Sequence, residues 1–392
     1  MNNKYDVIVI GGGIIGSSVT YYLSKLGNKV LQIEKEDITK GSAGATDGVV
    51  GYHTKKPGVQ MDLAVQSIKL FDNLSEELGE DVEYEKNCGG MQPVEDKEQW
   101  DILSEIVKKQ RESDVDIEMI SIEKALEIEP ELNPNLYGAL YSKIGGKVNP
   151  IKLTYGFNHA AKRLGATVLL HTEVTDIIVE DNKVKGVKTD KGDFYSDKVV
   201  NACGSYSAKI GEMVGLNIPI KPRKGQLIIS EPIGPFMEAT VQCARYNIIK
   251  FNPDSIKDKN VLKLGSSLSI EQTKEGTLVI GGTREFCGFD KENTLEGIEV
   301  MLKRAVEFFP AIKDLNFIRA FAGLRPFTPD GLPLIGEVDK IKGFYMAAGH
   351  EGDGIALAPI TGKLLAELIT DGKPSYNIDH FSPNRFELQK FI

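Results

Sequence analysis

A row of glycines closing a short apolar run restricts the fold of this chain more than any other feature. Residues 5–10 are apolar and β-branched and read as a buried parallel strand. Gly11-Gly12-Gly13-Ile14-Ile15-Gly16 follows. Ile15, Val19, Tyr22, Leu23 and Leu26 then recur at helical spacing as far as Gly27, a natural C-terminal cap. Residues 29–34 form a second strand, which completes a βαβ unit. Gly11, Gly13 and Gly16 satisfy G-x-G-x-x-G. The first permits the tight turn, the second lets backbone approach a pyrophosphate, and the third lets helix and strand pack closely. The helix start at Ile14 and Ile15 offers N–H groups and the positive end of the helix dipole to phosphates. Glu34, with Lys35 beside it, stands 18 residues beyond Gly16 at the end of the second strand. A carboxylate there accepts hydrogen bonds from both ribose hydroxyls and repels a 2′-phosphate, which argues against NADP. Strand, helix, second strand and acid all fall where a dinucleotide site needs them. NAD and FAD are not separated by this unit alone.

The rest of the chain alternates in the same way, but in pieces. Residues 62–78 read as one amphipathic helix ended by Gly79, and 98–111 as another. A helix opened by Asn149-Pro150 and capped by Gly165 follows. Then come a strand at 167–170, a hairpin of 174–179 and 184–189 around Asp181-Asn182, and an apolar strand at 198–202 that returns to the parallel sheet. Residues 219–282 read mostly as antiparallel strand. Helices are expected at 292–309, stopped by Pro310, and at 355–369, with a strand at 343–348. The polar stretch 252–263 reads as a surface excursion.

Composition excludes several functions. The net charge of −9, from 47 Lys+Arg against 56 Asp+Glu and without a basic cluster, argues against nucleic acid and anionic membrane surfaces as partners. Cys88, Cys203, Cys243 and Cys287 form no metal knuckle or redox pair, and the five histidines form no metal-spaced cluster, so no metal is expected. The N-terminal segment lacks the pattern of a signal peptide, and no run approaches the ~20 apolar residues of a membrane span. A reducing, cytoplasmic location is the expectation.

Four further segments carry a resemblance. They are residues 41–48 (Gly-Ser-Ala-Gly-Ala-Thr-Asp-Gly), 199–207 (Val-Val-Asn-Ala-Cys-Gly-Ser-Tyr-Ser), 323–336 (Gly-Leu-Arg-Pro-Phe-Thr-Pro-Asp-Gly-Leu-Pro-Leu-Ile-Gly) and 348–355 (Ala-Gly-His-Glu-Gly-Asp-Gly-Ile). In order and spacing the chain resembles the D-amino-acid oxidase superfamily of flavoproteins. Within it, the chain resembles glycine oxidase, sarcosine oxidase and the flavin subunits of hydrogen cyanide synthase and hydroxyproline dehydrogenase. The resemblance implies an α/β plus α+β fold, with a doubly wound FAD-binding domain made of residues 1–85, 145–215 and 320–392. An antiparallel-sheet substrate domain would comprise 86–144 and 216–319. It implies that Ser42 and the Thr46-Asp47-Gly48 turn touch the pyrophosphate and flavin edge. Val174 would meet the adenine through its backbone, and Ala202 and Gly204 would border the cofactor. Gly349, His350, Gly352, Asp353, Gly354 and Ile355 would lie along the flavin. The last helix would then aim its N–H groups at the flavin edge where negative charge builds on reduction. Sarcosine oxidase attaches its FAD through a cysteine near the segment matching 323–336; none lies there, so FAD is expected to be non-covalent.

The same resemblance makes Arg325 the group that holds a substrate carboxylate. A guanidinium pairs with a carboxylate through two parallel hydrogen bonds, fixing orientation as well as affinity. His53 is a candidate pocket-lining residue. On one face of the strand that forms the pocket wall in the family, Ser267, Ser269 and Glu271 alternate. That strand lacks the aromatic and histidine side chains of glycine oxidase, and Gly352 stands where glycine oxidase has a second arginine, so a differently shaped pocket is expected. The resulting expectation is hydride removal from the carbon next to nitrogen in glycine, sarcosine, proline or a D-amino acid, giving an imine. Electrons would pass to oxygen or to an electron-accepting partner subunit, and an oligomer is compatible with this. Two alternatives stay open. One is a 2-hydroxy-acid or glycerol-phosphate dehydrogenase, which needs a base such as His53 at the substrate. The other is a flavin subunit active only in a hetero-oligomeric complex.

Overall fold

A computed structural model describes residues 3–251 and 263–388. Most of the surface excursion expected at 252–263 lies outside the described residues.

The glycine-ended strand Val7–Ile10 occupies the middle of a six-stranded sheet. The spatial order is Leu334–Glu337, Phe344–Ala348, Val199–Asn201, Val7–Ile10, Val30–Ile33, Thr167–Leu169. All neighbours are parallel except the antiparallel edge strand Leu334–Glu337. Both faces are covered, which is why these strands are continuously apolar rather than alternating. Val7 and Val9 pack into a core with the helices Ile14–Lys25, Val59–Phe71, Pro150–Arg163 and Gly354–Asp371. Ile8 and Ile10 point the other way, into a core closed by the three-stranded meander of residues 174–195. The hairpin in that meander turns at Asp181 and Asn182, both at positive φ (50° and 57°), as expected for short polar side chains in such a turn.

The second sheet has eight strands in the order Phe317–Phe327, Lys221–Ser230, Leu278–Gly281, Ser269–Gln272, Thr240–Gln242, Gly90–Val94, Gly138–Ser142, Glu118–Ser121. Its neighbours are antiparallel except Thr240–Gln242 against Gly90–Val94. The helix Leu295–Phe308 closes its back through Met301, Ala305 and Phe308. Phe317–Phe327 belongs to this sheet throughout and so runs across the boundary expected at residue 320.

Two elements differ from the sequence reading. The single helix expected at 62–78 is two, Val59–Phe71 and Leu74–Leu78, parted at Asn73, whose backbone is not helical (φ −115°, ψ 7°). Phe71, Leu74 and Leu78 are all buried, so the apolar spacing runs straight through the break and conceals it. Within the stretch read as strand, Ala244–Phe251 is a helix. Its β-favouring side chains are overridden by tertiary contacts: the Asn247 amide donates to the His53 carbonyl at 2.8 Å and to Gln92 Oε1 at 2.9 Å.

Candidate active site

Between the carboxyl ends of the parallel strands and the inner face of the eight-stranded sheet lies a cavity of about 790 Å³. This is where open α/β sheets place their ligands. Ile10, Ile33, Ala202 and Ala348 mark the strand ends along it.

Its first end is made of backbone. A Cβ on Gly11 would lie 2.5 Å from the Ala202 carbonyl oxygen, one on Gly16 would lie 2.1 Å from the Gly11 carbonyl oxygen, and one on Gly13 would meet nothing within 4 Å. Gly11 and Gly16 therefore bring turn, helix and neighbouring strand into contact, while Gly13 leaves the wall open. Gly16 itself does not line the cavity; Gly11, Gly13, Ile14 and Ile15 do. No side chain caps the helix that begins after Gly13, so its first N–H groups are left to a ligand. Glu34 lies at the rim with Lys35. Its Oε2 accepts from the Gly12 N–H at 2.6 Å and its Oε1 from the Glu36 N–H at 2.8 Å. Val174, Ala202 and Gly204 also line this end. So does Cys203, whose buried thiol donates to the Ile10 carbonyl at 3.2 Å and is pushed up in pKa by burial.

In the middle, Ser42 and Ser205 both donate to the Leu324 carbonyl, the latter at 2.6 Å, fastening two strand-end loops to the segment that carries Arg325. Thr46 and Asp47 line the cavity. The Ser269 hydroxyl donates to Asp47 Oδ2 at 2.7 Å, and the Gln242 amide donates to Ser269 at 3.2 Å. His53 Nε2 lies 2.5 Å from Gln242 Oε1. His53 is not a wall residue of the cavity: it reaches Ser269 only through Gln242, and its ring is so close to Gly90 that a Cβ there would come within 2.2 Å. Burial lowers its pKa to about 4, so the ring is neutral. Gly48 is also outside the wall; a Cβ there would lie 1.9 Å from the Val148 carbonyl oxygen, and its N–H donates to Glu271 Oε1 at 2.7 Å. Burial, reinforced by the nearby Asp47 carboxylate, pushes Glu271 up to about 8.

At the far end, His350, Gly352, Gly354 and Ile355 line the cavity, whereas Gly349 and Asp353 do not. Gly349 makes the turn out of the strand at φ +84°. The His350 ring is shared with the Thr361 hydroxyl at 3.0 Å and is lowered by burial to about 4. Asp353 turns away from the helix it precedes. It pairs with Lys55 at 2.9 Å and Lys250 at 2.7 Å, and accepts from Gln60 at 2.8 Å. The last helix therefore also begins without a side-chain cap.

Arg325 completes this end. Its Nη1 donates to the Thr283 carbonyl at 2.8 Å. The guanidinium lies flat across Gly225 of the neighbouring strand, where a Cβ would come within 2.0 Å of Nη1. Four groups that the sequence reading did not assign to the site surround it: Arg223, Tyr246, Arg284 and Glu351. Burial alone would raise Glu351, but Arg223, Arg284 and Arg325 outweigh it and hold the carboxyl well below the usual range. Glu351 is ion-paired with Arg223, and its Oε2 accepts from the Gly352 N–H at 2.7 Å. The one local signal for Arg284 was its place just after the Gly281-Gly282 pair that ends a strand. Arg223 and Tyr246 carried none.

Residues 6–368 match the family model described as DAO, FAD dependent oxidoreductase. The chain belongs to that family. It is therefore an oxidoreductase with FAD as cofactor, as the glycine cradle and uncapped helix starts suit. It is 30% identical to glycine oxidase of Geobacillus kaustophilus over 98% of both chains. It is 28% identical to hydrogen cyanide synthase subunit HcnC of Pseudomonas aeruginosa over 99% of this chain and 97% of that one. The crystal structure of L-proline dehydrogenase from P. horikoshii superposes with a TM-score of 0.88, at 30% identity over 99% of both chains. Among the described residues no helix is long and apolar enough to cross a membrane, and no group of His, Cys, Asp and Glu could hold a metal.

Proposed function

We propose that this family member oxidises the CH–NH bond of a small amino acid or secondary amine of the glycine, sarcosine, proline or D-amino-acid type. The observation that carries the reading is Arg325: a guanidinium on the cavity wall, anchored through one nitrogen to Thr283. Paired with a carboxylate, it would fix the substrate's α-carbon toward the flavin end of the cavity. Two proteins that match nearly the whole chain are named for glycine and proline, which supports the amine class.

Residues 11–16, Glu34, Lys35, Ser42, Val174, Ala202 and Gly204 would hold the dinucleotide part of FAD without a covalent bond. Thr46, Asp47, His350, Gly352, Gly354 and Ile355 would border its ring. Residues 1–85, 145–215 and 320–392 would form the cofactor-binding part and 86–144 with 216–319 the substrate part, except that the strand Phe317–Phe327 stays whole in the substrate sheet. Bound FAD supplies the acceptor for the hydride that leaves carbon. The chain's own task is to bind the amine neutral, with its nitrogen lone pair free to form C=N as hydride departs. Water then adds to the imine and expels ammonia or an amine, leaving the oxo compound; a cyclic imine need not be opened. Electrons would leave to oxygen or to a protein acceptor, in the latter case within a complex, and the protein would work in the cytoplasm.

Oxidation of an alcohol would also require a base to take the hydroxyl proton. His53, the candidate for that role, lies behind the wall, which favours the amine reading over a hydroxy acid. Anaerobic mixing with glycine, sarcosine, proline and D-amino acids, set against 2-hydroxy acids and glycerol phosphate, tests this. An amine is expected to bleach the flavin's visible absorbance while the hydroxy compounds leave it intact. Bleaching by hydroxy acids alone would overturn the proposal, and silence with both would favour a subunit that turns over only with its partner.

A further inference from the structure

The guanidinium end of the cavity carries more positive charge than one carboxylate can match. Arg223, Arg284 and Arg325 converge there on a single acid, Glu351, which is already paired with Arg223 and with the Gly352 N–H. Nearby Lys55 and Lys250 share Asp353, so they offer no spare anion. A substrate carboxylate on Arg325 leaves Arg284 without an acid of its own.

Arg284 is built to meet one. It lines the cavity and is only 6% exposed. Its Nη1 donates to Ser267 at 2.8 Å, and its guanidinium lies 4.2 Å from the centroid of the Tyr246 ring, which fixes its plane. Nε and Nη2 are buried and have no hydrogen-bond partner in the protein. A buried guanidinium with two idle donors is costly unless something in the cavity accepts from them. Thr283, the residue next to Arg284, anchors Arg325, so one turn of chain holds both guanidinium groups to the same wall. Gly352 keeps the space beside Tyr246 and Arg325 free of a side chain: a Cβ there would lie 3.4 Å from the Tyr246 hydroxyl and 3.7 Å from Arg325 Nε.

We propose that Arg284 binds a second anionic group of the substrate, so that the preferred substrate is an amine diacid. This class comprises amino acids with a carboxylate on the side chain, and amino acids that carry a carboxymethyl group on nitrogen. The proposal rests on the amine reading above and narrows its substrate class. Arg325 positions the α-carboxylate, and Arg284 selects by the distance to the second acid.

The test uses the FAD-loaded protein. Aspartate and glutamate of both configurations and N-(carboxymethyl)glycine are compared with alanine, proline and sarcosine for anaerobic flavin reduction. Non-reacting succinate and malonate are compared with acetate for binding, read from the perturbation of the flavin spectrum. The best diacid should exceed the best monoacid in kcat/KM by about 10- to 100-fold, the worth of one charge-assisted hydrogen-bonded pair. Arg284→Gln should collapse that ratio and the dicarboxylate-over-acetate binding preference together, while Arg284→Lys should restore part of both. Equal loss for diacids and monoacids in Arg284→Gln, with a shifted flavin spectrum, would assign Arg284 to the cofactor and overturn the proposal. Reduction by monoacids with no gain for any diacid would overturn it while leaving the amine reading intact. Failure of every amine would remove both.

Discussion

The two ends of the cavity are built to hold anions by opposite means. At the glycine end the donors are backbone N–H groups at an uncapped helix start, and side chains are mostly excluded: a Cβ on Gly16 would collide with the Gly11 carbonyl. At the far end the donors are guanidinium groups, one on the edge strand Phe317–Phe327 and one just past the strand Leu278–Gly281, with Gly225 shaved to let the first lie flat. A backbone site has fixed geometry and suits a part every family member shares. A side-chain site can be respecified by exchanging single residues. On the proposed reading, specificity would reside in the eight-stranded sheet, with the parallel sheet holding a constant cofactor.

Damage to the two ends should look different. Arg325→Ala removes the carboxylate grip and should lower kcat/KM for a carboxylate amine by roughly 3–5 kcal/mol of transition-state binding. The purified variant should keep its full flavin content. Steady-state kinetics with the flavin-to-protein ratio measured beside them check this, and an unchanged kcat/KM would remove Arg325 from the site.

The junction between the ends should answer to pH. Glu271 has a folded-state pKa of about 8, raised from 4.5 by burial and by Asp47. Between those values the folded protein keeps a proton that the unfolded chain has released. Its contribution to stability is therefore fully present below about 4.5 and is lost as pH rises toward 8. Glu271→Gln, which can still accept from the Gly48 N–H, should flatten this slope and be the more stable form at pH 8. Thermal melts of both proteins at pH 5 and pH 8 give the answer; parallel shifts would mean that Glu271 is ionised in the fold.

Gly16→Ala should act on the other end alone. The new methyl must displace the Gly11 carbonyl, at about 1–3 kcal/mol for overpacking. The expected result is weaker FAD retention on dilution, with the kcat/KM per bound flavin close to that of the parent. A fall per bound flavin as large as that of Arg325→Ala would erase the distinction between the ends.

The same contrast decides how much could be read before the fold was known. The glycine turn, its helix and Glu34 are contiguous in sequence, and local chemistry dictates them, as it does the Asp181-Asn182 turn. Tyr246, Arg284 and Glu351, the last paired with Arg223, meet Arg325 only because distant strands and loops converge on one cavity end, and no spacing announces that. His53 sat in a suggestive place in sequence, yet its ring packs against Gly90 and Gln242 and does not line the cavity. Asp353 lies among cavity-lining glycines but turns its carboxylate to Lys55 and Lys250. The break at Asn73 was invisible because buried side chains continue on both sides of it.

On the proposed reading, a guanidinium grips an amino acid's carboxylate while its carbon gives up hydride to FAD. Anaerobic rapid mixing of the flavoprotein with its best amino-acid reductant, against the amine left when that carboxylate is removed, tests this most directly. The amino acid should reduce the flavin at least roughly 100-fold more efficiently, the scale of a buried charge pair left half empty. Equal reduction by the decarboxylated amine would mean that no guanidinium holds the carboxylate during hydride transfer.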